Sequence, residues 1–252
     1  MLNKTILSEK GAFAAGIVVF CAVWFAGAGI VNSNLILPGP LAVITRFIAL
    51  LKDGAFYKAL GTSAVRLFTG LVISAPAGFL AGLVCGLNKR ACAFFRPLFT
   101  VIASTPVMSV ILIAYLALGA DRTPVFTVFL LVFPIIVSTT IEGLQAVSLE
   151  LRELFEVYRL GRMQRLRHLY LPVLMPFLTG GIRAALALGW KVVVAAEVLV
   201  QPMNALGSGI QRAKAYLETV ELFAWTLAVI LAAALSDVVL RLCAQSAGKA
   251  GL

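Results

Sequence analysis

Residues 149–172 read LELRELFEVYRLGRMQRLRHLYLP, a charged stretch set between very apolar ones. Its apolar residues Leu151, Leu154, Phe155 and Tyr158 recur at i, i+3, i+4 and i+7, so they share one face of a short helix. Ser148 is placed to cap that helix, and Glu150 lies in its first turn, where the helix dipole favours an acid. Gly161 is expected at its C-terminus, and Pro172 marks the start of a new segment. An ordered, mostly basic loop of this kind, between apolar blocks, presents a surface to a soluble partner.

The flanking blocks define the class. The chain has 252 residues, 61% hydrophobic and 13% charged, with a mean hydropathy of +1.01. A soluble domain is usually about 45–50% apolar and about 25% charged. The excess lies in blocks long enough to cross a hydrocarbon core, which takes about 20 apolar residues as a helix. Lipid cannot satisfy backbone N–H and C=O groups, so these blocks are helices. The expectation is an all-α polytopic membrane helix bundle, one transmembrane domain over 1–252, surrounded by lipid. Six spans are expected, at about 12–31, 63–86, 98–118, 124–142, 177–199 and 222–243. The first is longer than the usual 7–15 residue core of a signal peptide and is kept as a span.

Basic residues fix the expected orientation. Twelve Lys and Arg fall in the N-terminus, 87–97, 143–172 and the C-terminus, against six on the other side, at Arg46, Lys52, Lys58, Arg122, Arg212 and Lys214. The positive-inside rule then puts both termini and the 143–172 loop in the cytoplasm. The net charge of +10 does not point to nucleic acid, because the cations cluster at the ends of apolar blocks. One histidine, His168, precludes a multi-histidine metal site, and the four cysteines form no CxxC pair. No P-loop is present, so the chain is not expected to bind ATP itself.

Within the spans, Gly70, Ser74, Gly78, Gly82 and Gly86 recur every four residues. Such a stripe lets another helix backbone approach closely. Pro76 in the same span, and Pro106 and Pro134 in the next two, are candidate kinks. Four ionisable residues, Arg66, Arg183, Lys191 and Glu197, also lie in spans. Each costs about 2.5–3.5 kcal/mol at a helix centre on insertion scales, unless it is paired or faces a wet cavity. Arg66 and Glu197 sit at a similar depth near the outer end and are expected to pair. An interfacial salt bridge or snorkelling near the headgroups, with no part in the pathway, is the alternative. Arg183 and Lys191 are candidates for a translocation cavity.

The loop resembles the cytoplasmic coupling motif of ATP-binding-cassette importer permeases: Glu-Ala-Ala, three residues, Gly, nine residues, Ile, one residue, Leu-Pro. Anchored on Leu171-Pro172, the motif falls on Glu153-Leu154-Phe155, with its glycine at Arg159 and its isoleucine at Leu169. The alanines and the glycine are not kept, whereas the acid, the spacing and Leu-Pro are. Leu37-Pro38-Gly39-Pro40 is similar to the Leu-Pro-Ser-Pro segment of nitrate/sulfonate/taurine-type permeases. So are Ser63 to Gly70, Arg96-Pro97, Ser104-Thr105-Pro106, Gly189-Trp190, Ala196-Glu197 and Leu206-Gly207 in their order and spacing.

The resemblance implies the type I importer permease fold in a bacterial inner membrane, without catalysis of its own. It implies a homodimer with two ATP-binding subunits beneath, which carry the ATP and Mg. A separate substrate-binding protein would deliver a small nutrient, nitrate-, sulfonate- or taurine-like or a small heterocyclic compound. A stand-alone carrier or channel is the alternative, and a membrane-embedded enzyme would need convergent catalytic side chains that this sequence lacks.

Overall fold

In the computed structural model the backbone is described over residues 2–158 and 161–250, and side chains over 11–243 except at positions 13, 152, 156, 159, 160 and 162. Helices follow one another almost without interruption: α1 (Leu2–Val31), α2 (Pro40–Leu50), α3 (Gly54–Leu87), α4 (Lys89–Ser104), α5 (Val107–Leu118) and α6 (Thr123–Gln145). Then come α7 (Leu149–Val157), α8 (Arg162–Arg165), a π turn (Leu166–Tyr170), α9 (Leu171–Val200), α10 (Leu206–Ala215) and α11 (Thr219–Ala250). Among the described residues five helices are long and apolar enough to cross a membrane, and the bent pair α4–α5 makes a sixth span if counted as one.

The span expected over 98–118 falls across this pair and is broken inside it. The chain turns by 96° between α4 and α5. Thr105 and Pro106 are both extended, with ψ near 130°. Pro106 has no N–H to continue the α4 ladder, and it pushes the preceding residue out of the helical region. The Ser104 and Thr105 hydroxyls donate back to the carbonyls of Thr100 and Val101 at 2.7 and 2.6 Å, one turn earlier in α4, and Val101 O also accepts from Thr105 N at 3.0 Å. By contrast Pro76 and Pro134 are absorbed within α3 and α6.

Side-chain chemistry sets the helix ends. Asp53 caps α3 by accepting from Ala55 N at 2.9 Å, and Asn88 caps α4 through Arg90 N at 3.0 Å. Ser148 Oγ accepts from Leu151 N at 3.3 Å at the start of α7. Gly161 does not end that helix. α7 stops at Val157, and Gly161 instead opens α8, with its N–H on Gln164 Oε1 at 3.0 Å and its carbonyl accepting from Arg165 N. Pro172 does mark the start of a new segment, α9. It sits in the first turn of α9, directly after a π turn in which Leu171 N–H reaches back five residues to Leu166 O.

The core is the contact of α3, α6 and α9. The stripe on α3 lies along α6, with Gly70 against Val128, Gly78 against Ile136, Gly82 against Thr140 and Gly86 against Leu144. Ser74 Oγ donates to Phe129 O at 3.1 Å between them. Residue numbers rise together on both helices, so they run parallel, and the spacing of four is kept on each. A Cβ at Gly70, Gly78 or Gly82 would come within 2.7, 2.8 or 2.5 Å of the facing side chain, so only glycine permits this approach. Leu67, Val128, Val132, Ala185 and Val193 are fully buried around the seam.

Candidate functional site: a buried ionic knot and a cationic groove

Where α9 ends, Gln201 adopts a left-handed conformation (φ 49°) and the chain turns back. α10 then starts against the last turns of α9. Its Gly207 allows this, since a Cβ there would lie 2.5 Å from Glu197 Cβ and 2.6 Å from Val194 O. The first N–H groups of a helix lack intrahelical acceptors and favour negative charge. Here Gly207 N–H donates to Glu197 Oε2 at 3.2 Å, and Leu206 N–H to Ser63 Oγ at 3.0 Å.

Glu197 and Ser63 are completely buried. Ser63 Oγ donates to the Glu197 carboxylate, 2.7 Å from Oε2, and Arg66 Nη1 to Oε1 at 3.1 Å. The Arg66 guanidinium is nearly buried too, and its Nη2 donates to Asp121 Oδ1 at 3.1 Å, on the exposed turn between α5 and α6. One carboxylate thus joins α3, α9 and α10, and one guanidinium ties that cluster to a fourth segment. Every charge has an opposite charge and directed hydrogen bonds, which is what makes burial tolerable. Among the described residues no buried side-chain polar atom is left without a partner. Arg66 and Glu197 are therefore brought together, as the sequence indicated. The sequence reading did not include Ser63, Asp121 or the two α10 amides as their partners.

Arg183 and Lys191 lie elsewhere, on one exposed face of α9 beside α11. Arg183 Nε donates to Asp237 Oδ1 at 2.8 Å, and Arg241 pairs with the other oxygen of Asp237. Asp237 was missed, although the rule that singled out Glu197, an acid inside a span, applies to it equally. A further link, Arg46 Nε to Glu221 Oε2 at 3.1 Å, fastens α2 to the start of α11.

The coupling-type residues form a third region. Leu151, Leu154 and Tyr158 are 41%, 48% and 69% exposed, Glu153 is exposed and Phe155 half-buried. Leu169 is buried in the π turn, whereas Gly161, Leu171 and Pro172 are exposed. Arg159 lies outside the described residues.

Comparison with known proteins agrees with this architecture. The chain is 28% identical over 209 residues to the bicarbonate transport system permease protein CmpB of Synechococcus elongatus, covering 77% of this chain and 73% of that one. It is 26% identical over 237 residues to the putative aliphatic sulfonates transport permease protein SsuC of Bacillus subtilis, covering 92% and 84%. The nitrate import permease protein NrtB of Synechocystis is 29% identical over 198 residues, covering 74% and 71%. Among solved structures, an inward-facing form of the MetNI methionine ABC transporter superposes with a TM-score of 0.54 at 19% identity, over 81% of this chain and 97% of that one, which shows a shared fold. The model of the binding-protein-dependent transport system inner membrane component matches residues 74–248, and the chain belongs to that family, the membrane-spanning permease subunits of ATP-binding-cassette importers.

Proposed function

We propose that the chain works as a homodimer in a bacterial inner membrane, with both termini and α7 in the cytoplasm, and that α7 is the contact to a separate ATP-binding subunit. ATP and Mg belong to that subunit, and this chain is non-catalytic. A substrate-binding protein on the opposite side hands over a small nutrient, nitrate-, sulfonate- or taurine-like or a small heterocyclic compound. The observation that carries the reading is the exposed apolar face of α7, which has no membrane to explain it: the helix has nine residues, too few to span, and lies between α6 and α9.

Aromatic anchors at an interface often cost 2 kcal/mol or more on truncation. Phe155→Ala is therefore expected to insert normally while losing co-purified ATPase and most ATP-driven uptake. Glu153 is expected to make a charged or capping contact at the same interface. Normal assembly together with normal uptake in the Phe155 variant would assign this face another role.

Orientation follows from the Lys/Arg bias. Cysteines at Lys89 or Arg162 should react with a membrane-impermeant thiol reagent only after the cells are opened. Those at Lys52 or Lys214 should react in intact cells. Labelling of position 162 in intact cells would invert the topology.

A further inference from the structure

α9 carries Lys191 nine residues before its end at Val200, about 14 Å along the axis at the rise of a helix. A hydrocarbon core is about 30 Å thick, so this ammonium lies well inside it. It is exposed on the single chain and has no ion pair among the described residues. A lone cation at that depth does not face lipid tails. It faces water or protein.

The surroundings are those of a lined site. Lys191 stands over a 530 Å³ groove between α9 and α11, whose other end holds Arg183 and Asp237. Arg183 is eight residues from Lys191, about 12 Å along the same helix face. The floor includes Trp190, whose indole N–H is fixed on Ser236 Oγ at 3.2 Å, leaving the ring as an apolar wall. Asp237 is shared by Arg183 and Arg241, so the one carboxylate of the groove is already taken and Lys191 is uncompensated.

We propose that this groove is a binding site for a small anion on the translocation path, with Lys191 as the group that meets the charge and Arg183 held in place by Asp237. This rests on the permease reading and narrows its cargo to the anionic class. The charge pattern supplies the attraction, while the apolar remainder of the lining keeps the anion from being held too tightly to leave.

The test reads the local potential with two methanethiosulfonates of similar size, one bearing a sulfonate and one a trimethylammonium group. Ala187 lines the groove and is exposed, so Ala187→Cys reports from inside it. The variant is reconstituted in phosphatidylcholine vesicles together with whatever ATP-binding subunit co-purifies. Relative to a free thiol in solution, the anionic reagent should be favoured over the cationic one about tenfold, the size expected for one poorly screened charge. Adding Lys191→Gln should bring the preference to within about twofold, and Lys191→Arg should keep it.

Equal reactivity of the two reagents, a cationic preference, or no reaction with either would overturn the site. A preference that appears only when anionic lipid is added would assign the groove to lipid headgroups and overturn its place on the path. Capture of the ATP-binding subunit from the same preparation tests the permease reading separately. A neutral groove with the ATPase bound leaves that reading standing, whereas an anion-selective groove without any ATPase removes it and leaves a bare anion site.

Discussion

Glu197→Gln is expected to destabilise the protein and slow ATP-driven uptake, Arg66→Gln to do the same, and the double variant to cost less than the two together. Removing one partner of a buried pair costs about 3–5 kcal/mol, because the other charge stays buried. An amide at position 197 can still accept from Gly207 N–H, so that single variant should fall near the lower value. With both charges gone nothing is left uncompensated, and a coupling energy of about 1–2 kcal/mol should appear. The cycle can be measured by denaturant unfolding in detergent and by uptake in proteoliposomes. Strict additivity among properly folded variants would mean that the 3.1 Å contact between Arg66 and Glu197 carries no energy.

Gly82→Val should disrupt the seam between α3 and α6. Its Cβ would lie 2.5 Å from Thr140 Cβ and 3.0 Å from Val137 O, and the second of these is backbone and cannot swing away. Overpacking of this kind costs about 1–3 kcal/mol, and more when a backbone must move. Gly180→Ala is the matched control, since nothing lies within 4 Å of the added carbon, and helix propensity alone should make it neutral or slightly stabilising. Thermal unfolding in detergent separates the two. A Gly82 variant as stable as the control would show that the seam can open at no cost.

The seam was visible in the sequence because a small residue every four positions has one geometric meaning in a long apolar helix. The Arg66–Glu197 contact was visible because charge in a span demands a partner at the same depth. Ser63 and the amides of Leu206 and Gly207 were not, because they lie far from one another in the chain and two of the donors are backbone, which has no side-chain signature. Nor was the break at Thr105-Pro106. Apolar residues continue on both sides of it, so composition reads one span where the direction changes by 96°. The end of α7 was misplaced for a similar reason: glycine serves either end of a helix, and only the neighbouring Gln164 side chain decides which.

The parallel seam has a mechanical corollary. Four glycines against four facing side chains, with the serine bonded across between them, mesh like two toothed bars, and a slip of either helix by one residue would bring every tooth into collision. Such a pair behaves as a stiff rod under axial load. At one end, Leu144 is the last tooth, only a few residues before α7 begins; at the other, Gly70 is one turn of α3 from Arg66. A push delivered at α7 would therefore be passed along the seam towards Arg66 and its hold on Asp121.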